Sequence, residues 1–101
     1  MYKKIINPKD ELHYNLNSVD TRYILNEGDR VIGFFAATKE ISVPTQISPR
    51  DVCFYVIEGV VKISIEDKVF ELKASEMILV PKTNAYDISF LEDSKVIFTR
   101  I

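Results

Sequence analysis

A chain of 101 residues with 13 Lys and Arg against 15 Asp and Glu carries a net charge of −2, so no basic excess points to nucleic acid or an anionic membrane. Hydrophobic residues at 47% suffice for the core of one domain, 1–101, and the single Cys53 excludes an internal disulfide and leads us to expect a reducing cytoplasm. No apolar run approaches the ~20 residues of a transmembrane span, and Met1-Tyr2-Lys3-Lys4 leads into no signal-peptide apolar region.

In chain order, a short strand is expected at 3–6. A loop follows over 8–19, opened by Asn7-Pro8 and containing Asn15, Asn17 and Ser18, so that 1–20 form an N-terminal strand and loop. Segments rich in Val, Ile, Phe and Tyr then recur at 21–26, 30–37, 41–46, 52–58, 60–66, 68–73, 77–80, 85–90 and 95–101, parted by short polar turns. That spacing predicts an all-β sandwich or barrel, and no window carries a sustained helical repeat. Glu66-Asp67-Lys68 reads as a tight turn, and Glu58-Gly59 as a turn whose glycine takes a backbone conformation that other residues resist.

Side chains alternate across a strand, so the pattern fixes which way they face. Val61, Ile63 and Ile65 oppose Lys62, Ser64 and Glu66; Phe70 and Leu72 oppose Val69 and Glu71; Tyr86, Ile88 and Phe90 oppose Ala85, Asp87 and Ser89. Tyr86 is therefore expected to point inward. Val31 to Ala37 and Val52 to Ile57 are apolar on both faces, which demands cover on both. A homodimer is the economical source of that cover, with Phe35, Cys53 or Tyr55 among its contacts according to which face lies outward.

The stretch from Cys53 to Tyr86, CFYVIEGVVKISIEDKVFELKASEMILVPKTNAY, resembles the core of the cupin superfamily. The family's first motif has the form G-x5-H-x-H-x3–4-E-x6-G, and its last Gly matches Gly59. Its Glu falls on Val52, and its two His on Thr45 and Ile47 or on Gln46 and Ser48, depending on the spacer. The second motif, G-x5-P-x-G-x2-H-x3-N, places its glycines on Ser75 and Thr83, its Pro on Pro81, its His on Tyr86 and its Asn on Phe90. LKASEMILVP looks like the family's L-x-x-G-D-x-x-x-x-P, and the likeness is best over 40–100. The resemblance implies an all-β cupin-type double-stranded β-helix, the jelly-roll barrel of small single-domain cupins, with its metal ligands replaced.

A transition-metal centre needs imidazoles and a carboxylate converging on one point. The only histidine, His13, lies in the expected N-terminal loop; Val52 and Ile47 have no donor atom, and a protonated tyrosine is a poor ligand. We therefore expect no metal and no other cofactor. Cys53, between Val52 and Phe54, is expected to be a buried inert thiol, because a reactive one needs an electropositive setting. Tyr86 is either a hydrogen-bond donor to a ligand or a packing residue, and Thr45, Gln46 and Ser48 either orient a ligand or shape a loop between Pro44 and Pro49.

Three function classes stay open. The first is a metal-free module that binds a small organic ligand in an apolar interior, with Phe34, Thr45, Gln46, Ile47, Ser48, Val52, Phe54 and Tyr86 as candidate lining. The second is a metal-independent isomerase or epimerase, for which no convincing base is visible. The third is a structural or regulatory dimer with a filled barrel. An enzyme is the less favoured reading, and interior volume separates the first class from the third.

Overall fold

Nine antiparallel strands arranged in two facing sheets make up most of the computed structural model, which describes residues 5–16 and 18–101. The strands are β1 (Asp20–Glu27), β2 (Arg30–Ala37), β3 (Ser42–Ile47), β4 (Val52–Glu58), β5 (Val60–Ile65), β6 (Lys68–Lys73), β7 (Met77–Val80), β8 (Ala85–Phe90) and β9 (Ser94–Arg100). One sheet runs β1-β2-β9-β4-β7 and the other β3-β8-β5-β6, the order of an all-β cupin jelly roll. Each strand expected from 21 onward is present with ends within a residue or two.

The strand expected at 3–6 lies partly outside the described residues, and Ile5 and Ile6 are not in a strand. Within the expected loop a helical turn forms instead, α1 (Pro8–Glu11). Its cause is local: the Asn7 side chain accepts from the Asp10 N–H at 3.4 Å as an N-cap, and Pro8 has the φ that a first helical turn needs.

The core fills the space between the sheets. Val56, Val61, Ile63, Val80 and Val96 are all but inaccessible and pack with Ala37, Leu72 and Phe90. These come from the inward rows that the alternation predicts. On the second sheet, Lys62 stays exposed beside buried Val61 and Ile63, and Glu71 beside buried Leu72.

The outer face of β2 is covered from within the chain. Phe34 and Ala36 form a second apolar cluster with Leu12, joined by Ile6, Tyr14, Ile24 and Ile97. The N-terminal segment is thus a strap across β1, β2 and β9. Polar contacts hold it: His13 N–H donates to Asp20 Oδ2 at 2.8 Å, Tyr14 Oη to Glu58 Oε2 at 2.5 Å, and Lys95 Nζ to the Lys9 carbonyl at 2.7 Å. Lys95 Nζ also sits 5.2 Å from the centre of the Tyr14 ring. The His13 amide, followed by Arg22, holds the Asp20 carboxyl below its ordinary range. The Tyr14 hydroxyl is pushed up by burial and then by the Glu58 carboxylate. The two-faced character of 31–37 therefore needs no second subunit, and Phe35, one of the expected dimer contacts, faces inward against Phe90 and Phe98.

Three turns carry left-handed backbone on residues with side chains: Glu66 at φ 52°, Ser75 at 73° and Thr83 at 67°. Ser75 and Thr83 stand where the cupin motif has its glycines, so the backbone bends as the motif requires although glycine is absent. Gly59 does retain it, at φ 93°, and a Cβ there would overlap Ser94 and the Asp93 carbonyl.

These positions make opposite predictions. Thr83→Gly relieves left-handed strain on a β-branched residue and should stabilise by about 1 kcal/mol after the entropy cost of glycine. Gly59→Ala should destabilise by about 2–4 kcal/mol, from strain plus overlap. Urea unfolding of the two variants beside the wild type checks both signs.

Candidate functional site

The barrel is packed at one end and open at the other. At the open end lies a cavity of about 350 Å³. It is lined by the buried Val52, Phe54, Ile88, Tyr86 and Phe35 and by the less buried Val43, Phe98 and Tyr23. Val19, Thr21, Gln46 and Arg100 complete it. Two other depressions, of about 450 and 500 Å³, are lined mainly by β6, β7 and the turns beside them, the first with Glu66, Asp67, Lys68 and Asn84 on its rim.

Aromatic packing shapes the cavity. Phe54 and Tyr86 meet edge to face at 5.7 Å between ring centres, and Phe98 packs against Phe35 at 5.9 Å and Tyr23 at 6.1 Å. Gly33 makes the last contact possible. It pairs with Tyr23 on one side and Phe98 on the other, and the two rings close over the gap left by its missing side chain. A Cβ on Gly33 would stand 2.7 Å from Phe98 Cζ. At the edge strand β3, an irregularity in pairing between Val43 and Gln46 rephases the alternation, so both line the cavity although three residues apart. Pro44 sits within that irregularity, where a strand tolerates a missing N–H.

Of the eight residues expected to line the interior, four do so: Gln46, Val52, Phe54 and Tyr86. Phe34 does not; it is buried on the opposite face under the N-terminal strap, and Phe35 takes the inward place. The whole of 31–37 is apolar, so alternation alone left its phase open. Thr45 turns to the outside and donates its hydroxyl to Asp87 Oδ1 at 2.5 Å. Ile47 is 67% exposed. Ser48 is buried in a turn, its Oγ accepting from the Arg50 N–H at 3.1 Å and its carbonyl from the Thr83 N–H at 2.8 Å. The rephasing at Pro44 separates Gln46 from these neighbours.

Sequence reasoning missed Arg100. In β9, Val96, Phe98 and Arg100 share the inward row while Ile97 faces the strap. Arg100 pairs in register with Val52 on β4 and Val31 on β2, which sets its side chain among apolar neighbours. Its Nε is buried without a hydrogen-bond partner. Burial pushes the Tyr86 hydroxyl above its ordinary range, and the Arg100 guanidinium pulls it partly back. The signal was the phase of V-x-F-x-R, readable once Val96 is placed in the core.

No protein-family model matches the chain, and no curated protein does. Solved structures do. A conserved protein of unknown function from Streptococcus pyogenes superposes with a TM-score of 0.93 at 16% identity, covering 100% of this chain and 89% of its own. A cupin superfamily protein from Desulfitobacterium hafniense gives 0.89 at 15% identity, covering 98% and 91%. A cupin-2 domain protein from Shewanella frigidimarina gives 0.76 at 23% identity, covering 94% and 92%. The chain has the cupin fold.

The metal that cupin motif residues hold does not fit this lining. Val52 takes the carboxylate's place and Tyr86 an imidazole's, Gln46 offers one neutral amide, and Arg100 adds a cation that repels another. Among the described residues, no three His, Cys, Asp or Glu gather in a group able to hold an ion.

Gly33→Ala tests the packing of the cavity wall. The methyl must push Phe98 off its place over β2, and stability should fall by about 1–3 kcal/mol in urea unfolding. An unchanged midpoint would mean that the ring has room to retreat.

Proposed function

We propose that this protein is a metal-free cupin that binds a small organic ligand in the open end of its barrel. The observation that carries the reading is the cavity of about 350 Å³, within the size range of small-molecule sites, framed by aromatic and aliphatic side chains with a few polar groups. It favours a binding module over a barrel packed solid. An isomerase or epimerase would need a base beside its substrate, and the lining residues include neither a carboxylate nor an imidazole.

Native mass spectrometry of protein purified from its own host should show a species heavier than the 11.6 kDa chain by the mass of one small molecule. Val43→Trp, which fills the cavity from its edge strand, should lose that species while keeping its fold. A wild-type protein that carries nothing and takes up no member of a metabolite library would count against the proposal.

We further propose that two copies pair through the outer face of β4 and β7. Cys53 and Tyr55 face outward there, in register with Leu79 and Met77, which are 52% and 62% exposed. Among the described residues, the apolar cluster under the strap includes none from β4 or β7, so the outer side of 52–57 is not part of that cover. A pair burying ~800 Å² on each partner gains enough from the hydrophobic effect to offset association costs. Sedimentation at micromolar concentration should give twice 11.6 kDa, and Leu79→Lys should bring it to the single-chain mass. A single-chain mass for the wild type at all concentrations would refute pairing. The thiol of Cys53, expected to be buried, is only partly so because it lies on this outer face, and a free thiol fits a reducing cytoplasm as the setting.

A further inference from the structure

The cavity holds a charge that the described residues leave unanswered. Arg100 reaches it from the central strand β9, between Val31 and Val52, with Phe98 two residues before it in the same inward row. Its Nε is buried and without a partner. None of the ion pairs among the described residues includes it, although every other arginine takes part in one. A guanidinium keeps its charge at any ordinary pH and presents its N–H groups as a planar fork. Setting such a group against apolar walls with no counter-charge costs desolvation free energy, and packing alone gives no return for it.

The missing partner is an anion whose shape is set by the rest of the lining. A carboxylate takes two parallel N–H bonds from one guanidinium, and a single positive charge balances a single negative one. Beyond Arg100 most of the lining is apolar, and Phe35, Phe54, Ile88 and Phe98 suit an apolar body; Thr21, Gln46 and the tyrosine hydroxyls are too few to match the many hydroxyls of a sugar-like one. We propose that the barrel binds a small monocarboxylic acid with an apolar body, its carboxylate held by Arg100 and its body against Phe54, Ile88 and Phe98. Tyr86, on the same cavity, is placed to add its hydroxyl as a donor. This inference rests on the reading of the barrel as a ligand-binding module and names the class of ligand.

Full-length protein labelled with ¹⁵N and titrated with hexanoate and phenylacetate, and with their primary amides, separates the two ideas. The acids should bind at least tenfold more tightly than the amides and shift the amide signals of Val52, Tyr86 and Arg100. Arg100→Gln should abolish that preference, and Arg100→Lys should keep only part of it. Should Arg100→Gln fail to fold, the comparison of acid with amide on the wild type still decides. Acids and amides binding equally at the cavity would overturn the carboxylate assignment and leave the ligand-binding reading in place. Inorganic phosphate binding as tightly as the acids would also overturn it, since the apolar body would then contribute nothing. If neither acids nor amides bind, and protein from the native host carries no ligand, the binding reading fails and the inference with it.

Discussion

Cover for both faces of the five-stranded sheet is the constraint on which the other features depend. β2 is apolar all round, and so is its neighbour β9 apart from its ends. One face of each closes on the second sheet and makes the core. The other meets the N-terminal segment, and Leu12, with Ile6 and Tyr14, lies down on Phe34, Ala36 and Ile97. Once that strap fixes which way β2 faces, Phe35 is committed inward and Phe34 outward. The strap's polar anchors, Tyr14 on Glu58 and Lys95 on the Lys9 carbonyl, tie it to the ends of β4 and β9. The entry to the barrel lies elsewhere, beside the exposed Val19 and Gln46, and stays open.

The same barrel is solid at one end and hollow at the other because small and large inward residues are unevenly spread. Val56, Val61 and Val96 interdigitate with Ile63, Leu72 and Phe90 and leave little room. Toward the mouth, aromatic rings take over, and rings set edge to face or tilted at 5.7–6.1 Å brace one another and leave the space between the sheets unfilled. Gly33 contributes by its emptiness: with no side chain on β2 at that point, Phe98 and Tyr23 fold over the strand, clear of the centre.

Much of the fold was legible because alternation and turn spacing are local. The buried rows of β5 and β8 and the turn at Gly59 follow from a few residues each. The site was harder to read, for three physical reasons. A strand apolar on both faces gives no phase, so Phe34 and Phe35 were interchanged. The rephasing at Pro44 broke the count through 45–48, so Gln46 reached the cavity while Thr45, Ile47 and Ser48 did not. Arg100 was invisible because a charge at the end of a strand normally goes to solvent; only its register with Val52 and Val31 shows otherwise.

Val52 and Arg100 together account for the change in the barrel's chemistry. Val52 stands where the cupin motif has its metal-binding carboxylate, and Arg100 is its in-register neighbour on β9. Side chains so paired lie within about 5 Å at their Cβ atoms. A carboxylate at 52 would therefore meet the guanidinium directly, neutralise it and fill the space before it. With valine there, the pair gives instead a fixed positive charge beside an apolar wall. In a metal-holding cupin the positive charge at this depth comes from an ion held by imidazoles and a carboxylate; here it is built into the chain. On the proposed reading, the replaced ligands and the cation in the wall are parts of one electrostatic arrangement, because neither a metal beside Arg100 nor a carboxylate beside it would leave that charge available to a ligand.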